Sequence, residues 1–380
     1  MPMETDSAVA TPDVTIVVTP RERFGLAEAS LLDILDTTDI PFRLVYVDSG
    51  APAALSRRLE ALSRERGFEL LRAGRALAPN EARNLGLSRV DTPYVAFLEN
   101  DVFVTPGWLG ALVACARETG AAVVAPLICQ GSPLHRQVHH AGGLFADDPD
   151  AFVAPPAAGP RPAFEEVMIG HARPREEIDP TLARGETQFF EFHCVLMRRD
   201  LFERTGPFDE AMLATKEHVD FAMTVRKVGE RVWFEPASVV TYLFPCRAAP
   251  LSNADLPYFM LRWSNAWQRR SLVRFRDKWR IDAPDYFEER WRSAGWRRYE
   301  AITKRLVARA PVLRHTAWGR YVARKAISAS ERMVCQALVL RADLARRAAR
   351  RKGAPAPISA AVGEPARGAG TAAGDKVSAA

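Results

Sequence analysis

A run of apolar residues that ends in three polar ones constrains the fold more than any other feature of this chain. Residues 95–98 are apolar without alternation, which is typical of a parallel strand buried on both faces. The run stops at Glu99-Asn100-Asp101. In an open α/β sheet the carboxyl ends of the strands border the ligand crevice. Two acids there suit a site for Mg²⁺ or Mn²⁺, which favour oxygen ligands and complete their coordination with water and phosphate. For this step in isolation, a solvated turn that carries charge is the alternative interpretation.

Segments that precede this run predict the rest of the sheet. Residues 14–18 form a β-branched run followed by Thr19-Pro20-Arg21, and residues 42–47 lead into Asp48-Ser49-Gly50. Both patterns are typical of strands that end in polar loops. Two segments with apolar residues at helical spacing follow these strands, 26–37 and 53–66. The alternation of strands and helices predicts an α/β fold with a doubly wound, mostly parallel sheet.

Residues 74–87 predict a loop and a helix whose start faces the same crevice. Pro79 and Asn80 begin the helix, and Arg83 lies one turn inside it. Free amide groups at a helix start attract anions, and an arginine adds to that attraction. For this segment in isolation, an ordinary helix cap with a surface arginine is the alternative interpretation.

Taken together and in this order, these segments resemble the nucleotide-sugar domain of family 2 glycosyltransferases, which have the GT-A fold. In that family a first strand ends in a Pro/Thr-rich loop and a second in Asp-x-Gly or Asp-Gly-Ser. An Ala-Arg-Asn helix follows, and a later strand ends in Asp-x-Asp. The corresponding positions here are Thr19-Pro20-Arg21, Asp48-Ser49-Gly50, residues 80–84 and Glu99-Asn100-Asp101.

The resemblance assigns a role to each of these positions. It implies that Asp48 binds the nucleoside, that Arg83 lies near the base or diphosphate, and that Asp101 reaches a metal on the diphosphate. Glu99 stands where the family has its first Asp and is the second implied metal ligand. The other residues that the resemblance places at the nucleotide sugar are Thr19, Pro20, Arg21, Asn80 and Asn100.

A downstream block resembles the acceptor side of the same family. A Gly-Pro-Phe-Asp-Glu turn at 206–210 precedes a predicted helix start that carries Glu217, His218 and Asp220, the catalytic candidates. The family has Glu-Asp-x-Asp there and uses the Asp of the Glu-Asp pair as its base. His218 replaces that Asp, and an imidazole suits proton abstraction near neutral pH. Glu217 and His218 are therefore alternatives for the base, with Glu217 slightly favoured, and both as mere helix-start residues are a third interpretation.

Three other histidines are weaker candidates for the site. We expect His139 and His140 to lie in a solvated loop, with contact to substrate as the alternative, and His193 to be a core residue, with a ligand role as the alternative. The five cysteines are widely spaced and form no CxxC pair, which indicates reduced thiols.

Charge is distributed unevenly along the chain. Residues 1–260 hold 25 Lys and Arg against 36 Asp and Glu, a net charge of −11, whereas residues 261–352 hold 25 against 8, a net charge of +17. The basic segment also holds six of the eight tryptophans. Basic helices with aromatic residues suit an anionic membrane surface, where each Lys or Arg contributes about 1 kcal/mol. A solvated helical bundle is the alternative, and nucleic acid is a disfavoured partner.

These patterns predict four segments. They are a disordered N-terminus (1–12), a GT-A domain (13–250), a basic Trp-rich helical extension (251–352) and a disordered Ala/Gly/Pro-rich tail (353–380). The sequence offers neither a secretory signal nor an apolar run of about 18 residues. We therefore expect a cytoplasmic enzyme, with peripheral contact to the inner face of the membrane through residues 261–352.

The resemblance implies that the protein transfers a sugar from a nucleotide sugar to a hydroxyl group with inversion. It also implies a divalent cation, a glycan or lipid-linked acceptor, and a place in cell-surface glycan or glycolipid synthesis. One alternative is a catalytically impaired binding protein of the same fold, since Glu99 and His218 replace the usual acids. Another is a nucleotidyltransferase of related fold, although the first strand lacks the Gly-rich loop of such enzymes. An NAD-dependent dehydrogenase is disfavoured because no GxGxxG follows the first strand.

Overall fold

The computed structural model describes residues 12–147, 150–153, 164–244, 250–309 and 316–351. The predicted N-terminal segment, except its last residue, and the predicted tail lie outside these ranges. The strands are β1 (Val14–Thr19), β2 (Arg43–Asp48), β3 (Glu69–Arg72), β4 (Tyr94–Glu99), β5 (Val102–Val104), β6 (Val123–Gln130), β7 (Val138–His140), β8 (Gly143–Phe145), β9 (Glu166–Met168), β10 (Gly185–Thr187), β11 (Cys194–Arg198) and β12 (Val232–Tyr242).

Helices flank the strands and make up the C-terminal part of the described chain. They are α1 (Ala27–Thr37), α2 (Ala53–Arg66), α3 (Pro79–Leu87), α4 (Trp108–Thr119), α5 (Asp150–Val153), α6 (Arg175–Ile178), α7 (Leu201–Thr205), α8 (Glu217–Lys227), α9 (Leu256–Arg262), α10 (Asn265–Trp279), α11 (Pro284–Arg292), α12 (Trp296–Arg298), α13 (Lys304–Arg309) and α14 (Ala317–Arg351). A 3₁₀ turn (Asp179–Thr181) and a π turn (Tyr299–Thr303) complete the described elements.

The central sheet has the strand order β10-β12-β6-β11-β4-β1-β2-β3. Strands β1 to β4 pair in parallel, as do β6 and β12, while β11 runs antiparallel between β4 and β6. The predicted mixed but mostly parallel sheet with flanking helices is therefore confirmed. Register pairs Thr19 with Glu99, so the polar residues that follow β1 and β4 meet at one edge of the sheet.

Both faces of the sheet are buried, which explains the apolar run in β4. Val95 and Phe97 enter one hydrophobic core, and Ala96 and Leu98 enter the core on the opposite face. Burial of one of the larger side chains, such as Phe97 or Leu98, contributes about 1.5–3 kcal/mol to the stability of the fold. The acids that follow can be buried at the strand end only if other groups compensate their charge.

Helix α3 lies unusually close to β1. A Cβ atom at Gly86 would come within 2.2 Å of Val17 Cγ1, so only glycine permits this packing. The close approach fixes Arg83, one turn earlier on the same helix, in a fully buried position beside the strand ends.

The C-terminal helices dock on the domain that carries the sheet. Trp263, Trp267 and Trp279 are buried, whereas Trp296 and Trp318 are 61% and 74% exposed. Among the described residues, no helix has both the length and the apolarity needed to cross a bilayer.

Candidate active site

The loop after β1 is fixed against the residues after β4. Asn100 Oδ1 accepts a hydrogen bond from the Arg21 backbone amide at 2.8 Å, and the Asn100 amide donates to the carbonyl of Thr19 at 3.0 Å. Pro20 lies between these two contacts and is buried. The predicted residues of the first and fourth strand ends therefore form one structural unit.

Glu99 is enclosed by positive charge. Its carboxylate pairs with Arg21, with Arg83 at 3.5 Å and with Arg262 of α9 at 3.5 Å, and His193 Nδ1 lies 2.7 Å from Oε2. Burial alone would raise the pKa of Glu99, but Arg21, His193 and Arg262 hold it well below its usual range. Both oxygens are thus engaged by other side chains, and Glu99 does not fit a metal ligand in this arrangement.

Asp101 differs from Glu99 in that its carboxylate is not engaged by hydrogen bonds from the residues that the structure describes. Its side chain is fully buried, and neither carboxylate oxygen has a hydrogen-bond partner among the described residues. Burial raises the pKa of Asp101 to about 7; Arg21 counteracts this, and the negative charges of Glu99 and Glu22 add to it. Buried carboxylates without partners are costly, so this side chain fits a group that binds a cation.

Arg262 comes from α9 and joins two further acids, Glu217 and Glu22, to the cluster. Its Nη2 donates to Glu217 Oε1 at 3.1 Å, and its Nη1 lies 3.6 Å from Glu22 Oε2. Several buried side chains here retain polar atoms without a hydrogen-bond partner among the described residues: Glu22, Arg83, Asn100, Asp101, Glu217 and Arg262. Native proteins rarely leave such atoms unsatisfied, so their concentration here indicates a polar ligand.

A histidine cluster adjoins these acids. Ligand atoms of His139, Glu191 and His193 lie within 4.8 Å of one another. The His193 ring stacks on Tyr242, with centroids 3.7 Å apart. Imidazole and carboxylate ligands together suit transition-metal cations such as Mn²⁺. The described residues thus place imidazole and carboxylate donors beside Glu99.

The sequence analysis misjudged these histidines. His139 and His140 were expected in a solvated loop, but they end β7 and are buried. His193 is buried as expected, yet it faces Glu99. A signal existed in the aromatic run before β11, where Glu191 is the one charged residue among three phenylalanines and is out of place in a purely structural segment.

The three catalytic candidates at the start of α8 do not all face the site. Glu217 faces the arginines, while His218 Nε2 lies 3.3 Å from Glu191 Oε1. Asp220 points elsewhere, because Trp279 Nε1 and Lys278 Nζ both donate to it at 2.8 Å and join α8 to α10. The geometry thus brings Glu217 and His218 to the site and leaves Asp220 in a helix contact.

Backbone strain marks the same helix start. Lys216, which precedes Glu217, has a φ of 68° and is buried with its ammonium group paired to Glu166. A non-glycine residue in this region costs about 1–3 kcal/mol and is found preferentially at functional sites.

A pocket of about 760 Å³ lies at the end of β2, and Leu261, the residue before Arg262, is among its lining residues. Asp48 is buried at its wall, 3.9 Å from Arg72 Nε. Asn80 is not a lining residue; its Nδ2 donates to the carbonyl of Asp209 at 2.8 Å, and its Oδ1 accepts from Arg83 Nη1 at 3.0 Å. Asn80 therefore orients Arg83, and the pocket has a volume typical of small-molecule sites.

Two curated relatives are each described as "Pre-mycofactocin glycosyltransferase", from the CDC 1551 / Oshkosh and the ATCC 25618 / H37Rv strains of Mycobacterium tuberculosis. Each is 26% identical over 230 residues, which is 60% of this chain and 42% of the relative. The chain thus spans less than half the length of these relatives.

A solved structure and a family also match. The structure is described as "Crystal structure of GalNAc-T7 with UDP, GalNAc and Mn2+", with 14% identity, a TM-score of 0.48, and coverage of 79% of this chain and 58% of that one. Glycosyl transferase family 2 matches residues 15–206, about half of the chain and all strands from β1 to β11. Glu217 and Arg262 lie beyond that match. The chain belongs to glycosyl transferase family 2.

Proposed function

We propose that the protein transfers a sugar from a nucleotide-sugar donor to a hydroxyl acceptor, with inversion by direct displacement at the anomeric carbon. One observation carries the proposal: unpartnered buried polar atoms concentrate in the cluster that contains Asp101 and Arg262, and Leu261, the residue before Arg262, lines the pocket at Asp48. A nucleoside diphosphate with a cation fits both features. Its nucleoside would occupy the pocket, and its phosphates and the cation would bind the unpartnered polar atoms.

The donor roles follow from this arrangement. Asp48 contacts the nucleoside, and Asp101 holds the divalent cation. Further candidate ligands are His139, Glu191 and His193, whose ligand atoms lie within 4.8 Å of one another. The cation, when bound, neutralises the charge that develops on the leaving diphosphate. Glu99 acts through its partners, because it holds the guanidinium groups of Arg21 and Arg83 at the edge of the site.

His218 is our choice for the base. Its Nε2 faces Glu191, the arrangement in which a carboxylate orients an imidazole, and this leaves Nδ1 to accept the acceptor's proton. Glu217, which the sequence slightly favoured, has one oxygen committed to Arg262. We therefore assign Glu217 to positioning Arg262.

Release of nucleoside diphosphate from a panel of nucleotide sugars tests the transfer reaction and its metal. Wild type should slowly hydrolyse one donor and respond to Mn²⁺. Asp101→Asn should lose turnover on the order of 10³-fold, because a cation provides several kcal/mol of charge stabilisation. It should also lose any Mn²⁺-induced rise in melting temperature.

Asp33→Asn is a suitable control for that assay. Asp33 is a part-buried carboxylate that accepts from the Val104 amide at 2.7 Å and takes no part in the site. Equal turnover of wild type and Asp101→Asn with chelator present would refute the metal role. Saturable donor binding without turnover would identify the impaired binding protein instead.

Paired substitutions at the start of α8 test the base. His218→Gln should lose about 10²- to 10⁴-fold in kcat with donor binding retained, which is the usual contribution of a general base. Glu217→Gln should change donor affinity more than kcat. The reverse pattern would return the role to Glu217, and normal kcat in both variants would remove this helix start from the chemistry.

We further propose a glycan or lipid-linked acceptor, a role in cell-surface glycan or glycolipid synthesis, and contact with the inner membrane surface through residues 261–352. Support comes from exposed apolar residues on α14, among them Trp318, Met333 and Leu340, on a strongly basic segment. The protein should sediment with anionic vesicles, and less so at high salt, since charges are screened over about 8 Å at physiological ionic strength. Sedimentation that ignores both lipid charge and salt would contradict the membrane contact.

A further inference from the structure

We propose that α14 forms the outer wall of the donor pocket and that Arg341 on this helix binds the nucleotide. The proposal rests on the proposed function, because it takes the pocket at Asp48 as the nucleoside site. It concerns a part of the chain outside the family match at residues 15–206. The donor site would then be completed by the basic extension rather than by the GT-A domain alone.

Two separate parts of the chain line the pocket. The domain contributes the ends of β2 and β3, with Asp48, Gly50 and Arg72. The extension contributes Tyr258 of α9 and a stretch of α14 around Arg341. α14 thus contributes four lining residues to the pocket: Leu338, Arg341, Ala342 and Ala345.

Side-chain contacts of Arg346 hold α14 against the domain and the extension next to the pocket. Arg346 Nη2 donates to Glu81 Oε2 at 3.0 Å and its Nε to Oε1 at 3.1 Å, and its guanidinium lies 4.8 Å from the Trp267 ring. The same Glu81 accepts from the Ala78 amide at 2.8 Å and so caps the start of α3. One carboxylate thus links the pocket's outer wall to the helix that carries Arg83.

Apolar packing supports that link. Val339 and Ala342 of α14 are buried in a cluster with Leu261 and Trp267 of the extension and Ala78 of the domain. Cys335 Sγ, one turn earlier, donates to the carbonyl of Met260 at 3.4 Å. The stretch of α14 at the pocket is therefore held from both sides of Arg341.

The pocket carries an excess of positive charge. Its lining includes four arginines and one carboxylate: Arg57, Arg72, Arg75, Arg341 and Asp48. Arg72 and Arg75 bind Glu60 and Glu81. Arg57 and Arg341 form no ion pair with any residue in the described part of the chain, so both cations are available to an anionic ligand. A nucleoside diphosphate is such a ligand, and guanidinium groups are well matched to phosphate.

Calorimetric titration with uridine, guanosine, adenosine and cytidine diphosphates tests the proposal on the full chain. Whichever nucleotide binds wild type should bind Arg341→Glu at least about tenfold more weakly, since a reversed charge repels phosphate. The matched control is Arg347→Glu, an exposed arginine on the same helix outside the pocket. It should bind within about twofold of wild type. Equal affinities for Arg341→Glu and Arg347→Glu would overturn the role of Arg341.

A bulky substitution on α14 tests whether this helix forms the wall of the pocket, without a change of charge. Ala345 lines the pocket, whereas Ala337 is exposed on the same helix and does not line it. Ala345→Trp should abolish nucleotide binding at an unchanged melting temperature, and Ala337→Trp should not. Normal binding by Ala345→Trp would refute the wall. If Asp48→Ala weakens binding while the α14 variants do not, this inference fails alone; if wild type binds no nucleotide, the proposed function fails with it.

Discussion

The sheet domain and the C-terminal helices have opposite charge, and much of that difference is used inside the molecule. Acids of the domain pair with bases of the extension at several buried or part-buried places. These pairs are Glu217 with Arg262, Asp220 with Lys278, Asp209 with Arg274 and Glu81 with Arg346. The charge asymmetry along the sequence is therefore in part a docking signal between two regions of one chain.

This comparison changes how the basic segment is understood. The sequence analysis related its +17 net charge to a membrane surface, yet Arg262 and Lys278 are buried against domain acids. Exposed tryptophans and the outer face of α14 remain available to a lipid surface. One segment thus carries two kinds of cation, inner ones that complete the domain and outer ones that face solvent.

Arg262 should give the largest effect of the docking pairs. Arg262→Met leaves Glu22, Glu99 and Glu217 one cation short in a buried site. Removing one member of a buried ionic group costs about 3–5 kcal/mol, because the remaining charges lose their compensation. Urea denaturation measures this as a fall in the free energy of unfolding.

An exposed arginine of the same extension provides the control for Arg262. Arg270 pairs with Asp343 near the surface, and Arg270→Met should cost less than about 1 kcal/mol. Adding Glu217→Gln to Arg262→Met should recover part of the loss, since the two side chains interact directly. Similar costs for the two arginine variants would contradict the distinction between inner and outer cations.

The sequence was a good guide to the domain and a poor one to the region where the two parts meet. Strand ends such as Asp48 and Asp101 follow local apolar runs, and the parallel sheet necessarily brings them to one edge. Arg262 and His139 gave no local signal, because their positions depend on packing against Glu99 and Tyr242, each more than 100 residues away along the chain. Asp220 lies on the expected helix, but its partners on α10 could not be read from the sequence.

Asp220 provides a second test of the docking between the two regions, with an expected loss of stability between those of Arg262 and Glu81. Asp220→Asn should lower the free energy of unfolding by about 2–3 kcal/mol, because Lys278 loses its charged partner while Trp279 can still donate to the amide oxygen. Turnover should stay near that of wild type at temperatures where the variant is folded. Asp277→Asn, at an exposed pair with Arg276, is the control and should leave stability unchanged. A loss of kcat without a loss of stability would return Asp220 to the catalytic group.

Glu81 should give the smallest of the three effects, because its pair with Arg346 lies nearer the surface. Burial alone would raise the pKa of Glu81, but Arg346 and Arg75 lower it below its ordinary value of 4.5. A depressed folded-state pKa contributes stability above the ordinary value, and that contribution is lost as pH falls through the folded value. Glu81→Gln should therefore cost about 1 kcal/mol at pH 7 and progressively less below pH 4.5.

Hydrogen exchange shows which part of the molecule is destabilised in Glu81→Gln. If Glu81 docks the extension on the domain, amides of α14 around Arg346 should exchange faster in the variant, while those of β1 and β4 should not change. Glu300→Gln, which removes an exposed pair with Lys304 within the extension, is the control and should leave both regions unchanged. Faster exchange throughout the sheet would mean that Glu81 supports the domain itself through its cap on α3. The extension would then be held by Arg262 and Lys278, and the comparison between the two regions would rest on those buried pairs alone.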